Sequence, residues 1–344
     1  MQYKLYTPLA IHETGNRTNQ EDALWPQQAT ADDRLFIVCD GMGGHEKGEV
    51  ASQTVSRALG QWFKEHVISG EPFTDEQLSE AIEYAYTKLD EYDNGSAVQM
   101  GTTLTLLYMH RHGVTAAHIG DSRIYHIRPN EGLLYQSRDH SQVFELFQAG
   151  EITYEEMGSY AQKNIITRAM TPGREKRMRP DIVHITDVKP DDWFYMCSDG
   201  MLEQMDSNGL AALLSANGSD EKKRQQLIAA THDNQDNHTA WMIHVESVIS
   251  ERGDEQLLNE EPTAKCNVLH IIKKRQQAEA STANEDDVVV VSVPRTNRRP
   301  VVPIRKQTSL MEKLKKLMVR ILSLFIVKGQ NNNRKEENNE SAKY

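Results

Sequence analysis

Apolar residues along the first 246 positions fall into short runs and helical stripes that alternate. The runs at 34–40, 102–110, 114–120, 123–128 and 193–198 are rich in aliphatic and aromatic residues and bounded by Gly, Asp or Asn, which predicts strands. Three of them (102–110, 114–120 and 123–128) follow one another over very short links, the mark of antiparallel pairing. Between residues 49 and 66, Val55, Leu59, Trp62 and Phe63 recur at helical spacing. A second helix starts at Thr74-Asp75-Glu76-Gln77, a capping box, and places Leu78, Ile82, Ala85 and Leu89 on one face. Strands, two helices, then a series of strands predict an α+β layered architecture rather than strict βαβ alternation.

The pattern changes after Val245. Residues 247–283 are mostly polar, with one apolar patch at 268–272, and a four-valine run stands alone at 288–291. Residues 247–309 therefore read as a polar, largely disordered linker after a domain spanning 1–246. Residues 310–328 form a basic amphipathic helix by pattern: Leu310, Leu314, Leu317, Ile321, Leu324 and Phe325 share one face, and Lys313, Lys316 and Arg320 oppose it. Residues 329–344 read as a disordered tail. The helix suits the headgroup region of an anionic membrane. Docking on a partner or on the chain's own acidic body, and a true span, are the alternatives, the last strained by its crowd of charges.

Composition sharpens this division. The net charge is −11, yet 295–328 holds ten Lys or Arg against Glu312 alone, leaving 1–294 at −20. An acidic body of that size repels phosphate backbones, which argues against nucleic acid as a partner. Three cysteines, Cys39, Cys197 and Cys266, share no short spacing, against a disulfide framework or zinc site. The first residues lack a basic region followed by an apolar run, so a cytoplasmic location is expected, peripheral at the inner membrane face if the basic helix binds lipid.

Five clusters carry candidate chemistry. Gly15-Asn16-Arg17-Thr18-Asn19-Gln20-Glu21-Asp22 alone is compatible with a surface turn. Asp40-Gly41-Met42-Gly43-Gly44-His45 follows an apolar strand, where an aspartate is costly unless its charge is compensated. Glycine lets backbone carbonyls approach a cation, although a tight turn would use the same residues. Gly120-Asp121-Ser122-Arg123, Ser198-Asp199-Gly200 and Asp236-Asn237-His238-Thr239 again put an aspartate beside Gly or Asn at a strand end. Carboxylates converging there, without a Cys or His set, describe an oxygen-rich site for Mg²⁺ or Mn²⁺.

With Met100-Gly101-Thr102-Thr103 added, this ordered set resembles the metal-dependent serine/threonine protein phosphatases (type 2C, the PPM family), bacterial branch, over residues 7–245. The resemblance implies a four-layer α-β-β-α sandwich of two antiparallel sheets flanked by helices, with metals at one end. Asp40 would bridge two ions, Mn²⁺ or Mg²⁺, and Gly41 would offer its carbonyl to one. Asp199 and Asp236 would ligate the other, and Asp121 with Asp199 would hold a weaker third. Glu21 and Asp22 would act through waters or hydrogen bonds behind the metals, where Asn237 of the last motif also belongs. Arg17 would grip the phosphate, a role its planar fork suits. Residues 148–170 resemble the flap beside the active site of bacterial members.

The sequence departs from the family at three places. Gln20 replaces a common Asn, 158–163 does not read like the usual flap, and Met42 stands where many eukaryotic members have a proton-donating histidine. Met42 cannot donate that proton, and His45 is a nearby histidine that a structural role would equally explain. The expected activity is hydrolysis of phosphoserine and phosphothreonine in proteins by a metal-activated water, on substrates of a Ser/Thr kinase. A non-catalytic phosphatase-like scaffold and a metallohydrolase of small phosphate esters are the alternatives.

Overall fold

The computed structural model describes residues 1–43, 47–68, 71–93, 100–160, 165–249 and 267–283, all within the compact unit Met1–Asp286. Alternation along the strands builds it. In β4 (Leu35–Met42), Phe36 and Val38 point one way and Leu35, Ile37 and Cys39 the other, each set into a different apolar cluster. In β11 (Trp193–Cys197), Phe194 and Met196 are divided in the same manner from Trp193, Tyr195 and Cys197. A strand covered on both faces belongs to an inner layer, and β4 and β11 are interior strands of two such layers.

The first sheet runs β1 (Gln2–Leu5), β12 (His238–Ile249), β11, β8 (Arg123–Arg128), β9 (Gly132–Gln136), and β2 (Leu9–Glu13) pairs with the start of β12. The second runs β10 (Asp181–Ile185), β7 (Gly113–Ile119), β6 (Leu104–His110), β4, β3 (Asp22–Trp25), with β5 (Gly101–Thr102) beside the end of β4. Every pairing is antiparallel. Phe36, Leu107, Phe194, Trp241 and Ile243 fill the space between the sheets, where Phe36 meets Trp241 edge to face at 5.5 Å. Each such side chain contributes roughly 1.5–3 kcal/mol by leaving water.

Two helix pairs close the outer faces. On the second sheet lie α1 (Lys47–His66) and α2 (Asp75–Asp90), through Val55, Leu59, Phe63, Leu78, Ile82 and Leu89. The Thr74 capping box is present at the start of α2. On the first sheet lie α5 (Ser207–Ser215) and α6 (Asp220–Thr231), through Leu210, Leu214 and Leu227. Helix, sheet, sheet, helix is the expected four-layer sandwich. The expected strand 102–110 is broken at Thr103, whose hydroxyl and amide turn to Asp40.

The linker expectation needs correction in two places. β12 continues to Ile249, and Val268–Ala283 forms a helix, α7. Residues 268–272 find an apolar surface that their own segment does not reveal: Phe144 and Phe147 of α3 (Gln142–Ala149) and Met157 of α4 (Tyr154–Met157). The isolated valines, the basic helix 310–328 and the tail 329–344 lie outside the described residues.

Candidate active site

Five chain segments end at one edge of the sandwich. β4 delivers Asp40 and Gly41; β3 starts with Asp22, directly opposite Asp40 in register. The β7–β8 turn carries Asp121, a single 3-10 turn after β11 carries Asp199, and Asp236 and Asn237 lead into β12. The loop between β2 and β3 holds Arg17 and Glu21. Residues 219 positions apart in sequence thus meet, as Arg17 and Asp236 do at 2.8 Å.

The carboxylates are closely set and poorly solvated. Asp22 and Asp121 are buried, Asp40 and Asp199 half-buried. Burial, then the charges of Asp22, Asp199 and Asp121, push the Asp40 carboxyl well above its ordinary range. Asp199 is raised by burial and by Asp236, and it shares a hydrogen bond with Asp40. Two carboxyl groups can bond in this way only around a proton. Burial also lifts Asp22, to about 7, with Asp199 and Asp236 adding to it and the Ser198 and Thr239 hydroxyls opposing it. Asp121 is raised by burial, Asp199 and Asp139, and its Oδ1, enclosed by protein, has no hydrogen-bond partner.

Neutral groups hold these acids in place. Ser198 donates from Oγ to Asp22 at 2.8 Å, and the Asp40 amide donates to the Thr103 hydroxyl at 2.9 Å. The Thr103 and Ser122 hydroxyls bond at 2.7 Å. Asn237 donates to the carbonyls of Thr14 (2.8 Å) and Asn19 (2.9 Å) and accepts the Glu21 amide at 2.7 Å, which ties down the whole Arg17 loop. Gly41 passes so close to α1 that a Cβ there would strike the carbonyls of Gly48 and Glu21. Its glycine identity is therefore also demanded by packing.

Sequence reasoning missed a second layer of support. His140 accepts the Gly120 amide on Nδ1 at 3.1 Å, and its own amide returns to the Gly120 carbonyl at 2.9 Å. Gly120 has a φ of +109°, open to glycine and strained for other residues. With Nδ1 accepting, Nε2 carries the proton and faces Asp181 at 3.2 Å. Arg138 and Arg168 also reach Asp181, at 2.7 and 2.9 Å, and His118 stacks on His140 at 4.6 Å. His118, His140 and Asp181 are near enough to suggest a metal site. Two guanidinium groups already neutralise this carboxylate, however, and burial keeps the His118 imidazole neutral, down to about 4. The cluster fixes the turn that carries Asp121, and a motif scan misses it because its members are spread over 64 positions.

Every sequence-predicted residue within the described range lies at this edge: Arg17, Glu21, Asp22, Asp40, Gly41, Asp121, Asp199, Asp236 and Asn237. Met42 closes β4 opposite Gly101, while His45 lies outside the described residues. Cys39 and Cys197 are buried free thiols, and burial pushes both away from the reactive thiolate. The donor set suits divalent cations: hard oxygens, mutually repelling, with one orphaned carboxylate oxygen.

Residues 11–232 match the family model described as Protein phosphatase 2C. A protein phosphatase 2C-type protein of Streptococcus pyogenes is 32% identical over 237 residues, covering 67% of this chain and 94% of the relative. The Mycobacterium tuberculosis serine/threonine phosphatase PstP/Ppp superimposes with a TM-score of 0.61 at 29% identity, over 71% of this chain and 99% of its own. The PstP catalytic domain in complex with two manganese ions gives 0.60 at 28%, over 72% and 100%.

If like charge is the dominant strain here, Asp40→Asn should raise the stability of the metal-free protein by on the order of 1 kcal/mol at neutral pH, since the amide can still donate to Asp199. Mn²⁺ should raise the melting temperature of the wild type and leave the variant nearly unmoved. Thermal denaturation with and without the ion reads both effects. A metal-free variant less stable than wild type, or an equal Mn²⁺ shift in both, would contradict the assignment.

Proposed function

The chain belongs to the protein phosphatase 2C family and is a metal-dependent phosphatase of phosphoserine and phosphothreonine in proteins, and from that premise we propose how its residues divide the work. Two ions, Mn²⁺ or Mg²⁺, would be held by Asp40, the Gly41 carbonyl, Asp199 and Asp236, with a weaker third at Asp121 and Asp199. The observation that carries this reading is the convergence of Asp22, Asp40, Asp121, Asp199 and Asp236 at one edge of the sandwich, beside an Asp121 oxygen that no protein donor reaches. Bound divalent cations supply an acidified water and screen the phosphate dianion from it.

The chain's own groups do the rest. Arg17 is exposed at the mouth of the site and leans on Asp236, so its guanidinium is positioned before substrate arrives. It orients the phosphoryl oxygens through parallel hydrogen bonds. Glu21 and Asp22 stand behind the ligands, and Asn237 keeps the Arg17 loop against β12. Met42 offers no proton to the leaving oxygen, so a solvent-derived proton serves there. The buried, unreactive thiols agree with direct attack by water rather than a phosphocysteine. The intact set of carboxylates disfavours the scaffold alternative.

The substrates are phosphoproteins, and we assign their phosphorylation to a Ser/Thr kinase. Among the described residues no helix is long and apolar enough to cross a membrane. We assign the basic segment 310–328 to reversible attachment at an anionic membrane surface, with the catalytic unit working on its cytoplasmic side.

Asp40→Asn and Asp199→Asn should each cost more than the roughly 10–100-fold typical of losing an outer-shell partner, with the fold retained. Arg17→Ala should raise KM for a phosphothreonine peptide by about tenfold or more, the loss of its charged hydrogen bonds to the phosphate. Steady-state kinetics with Mn²⁺ checks both; unchanged turnover in either aspartate variant, or an Arg17→Ala defect confined to kcat, would refute the roles. For the tail, the full-length protein should float with anionic vesicles and a 1–300 truncation should not. Equal recovery of both in the unbound fraction would refute membrane attachment.

A further inference from the structure

The family match ends at residue 232, before α7 begins, yet α7 is built into the catalytic unit. Val268 is 1% exposed against Phe144 and Phe147, and Ile271 and Ile272 pack on the same cluster. Asn267 donates to the Leu134 carbonyl at 3.2 Å and bridges Ser137, which anchors the start of the helix at β9. The Arg275 guanidinium lies 5.0 Å over the Phe147 ring. With one stripe committed to the flap, the neighbouring stripe, Leu269, Ile272 and Gln276, faces a cavity of about 810 Å³.

That cavity is continuous with the metal centre. Its inner end holds Asp121, Asp199 and Asp236; Tyr154, Met157 and α7 form one side, and Leu202 to Asn208 the other. Asp121, in the lining of this inner end, is 7% exposed, and its Oδ1 has no hydrogen-bond partner in the protein. A phosphorylated side chain fills only part of such a volume, so the remainder suits residues flanking it. The lining is one-sided in charge. Among the described residues Arg123 is the one cation in the lining, and both arms of that guanidinium are spent on Asp139 at 2.7 Å. Away from the metal ligands stand the acids Glu155, Glu203 and Asp206, with no basic residue between them among the described residues; Glu203 is held by the Gln235 and Asp236 amides and Asp206 by that of Gly209.

We propose that α7 completes an acidic groove that selects phosphoproteins carrying Lys or Arg beside the phosphorylated residue. This rests on the phosphatase reading and adds a specificity to it. The metal ions neutralise the inner acids and meet the phosphate. The outer acids meet the flanking cations, and an acidic flank is repelled. Leu269 supplies apolar contact to the flanking stems, which basic side chains readily cover.

The test uses the full-length protein with Mn²⁺ and three substrates: p-nitrophenyl phosphate, and phosphothreonine peptides with either basic or acidic flanks. Wild type should favour the basic peptide in kcat/KM by about tenfold or more, and about 0.5 M salt should erode that preference. Glu155→Gln combined with Gln276→Lys should cut the preference at least threefold while leaving p-nitrophenyl phosphate hydrolysis unchanged. Leu269→Ala should raise KM for both peptides and not for the small ester. Equal kcat/KM on the two peptides in wild type, or an undiminished preference in the charge variant, would overturn the proposal. Fluorescence anisotropy with the same peptides needs no turnover. Preferential binding of the basic peptide without hydrolysis of any substrate would uphold the groove and refute the phosphatase reading; hydrolysis without preference would do the reverse.

Discussion

Burial of Asp22, Asp40, Asp121 and Asp199, compounded by their mutual repulsion, is the constraint around which the rest of the molecule is arranged. Carboxylates this close, and this far from bulk water, would separate or hydrate if the chain could yield. It does not yield, because each sits at the end of a strand whose other residues are locked into the sandwich. Phe36 and Val38 fix the strand that ends in Asp40, and Phe194 and Met196 fix the one that ends before Asp199. The apolar core thus sustains an electrostatic strain, and the strain is relieved by protons or by cations.

Neutral hydrogen bonding gives that strain a defined geometry. Ser198, Thr103, Ser122 and Asn237 position the acids without adding positive charge that would compete with an ion. Around Asp22, Asp40, Asp121 and Asp199 the guanidinium groups are kept one step away: Arg123 is tied to Asp139, Arg138 and Arg168 to Asp181, and Arg17 reaches only Asp236. His140 then transmits the rigidity of the Asp181 cluster to the turn carrying Asp121 through two backbone hydrogen bonds. Apart from Arg17 at the exposed mouth, which pairs with Asp236, the built-in cations are occupied away from the carboxylates proposed to hold ions.

The sequence displays part of this directly. Asp40-Gly41, Asp199-Gly200 and Asp236-Asn237 are legible because each is a contiguous motif next to an apolar run, and an α+β layering is legible because the strand runs and the Thr74 capping box are local; the four-layer sandwich itself is legible only through the family resemblance. The Asp181 cluster is not, since its meaning depends on pairing β10 with β7. Nor is α7 legible as a packed helix. Its buried or half-buried apolar residues, Val268, Leu269, Ile271 and Ile272, are too few to predict burial, and the partners in α3 and α4 lie more than 100 positions earlier. Local chemistry is written in neighbours, whereas the walls of the groove are made by distant segments.

Calorimetric titration of Mn²⁺ into the metal-free protein near pH 6, in two buffers of different ionisation enthalpy, addresses the central claim most directly. If the acids retain protons because they repel one another, ion binding must expel those protons. The observed heat should then differ between the buffers, and affinity should rise with pH. Equal heats and a pH-independent affinity would show that no protons are displaced, and would contradict a centre built on strained carboxylates.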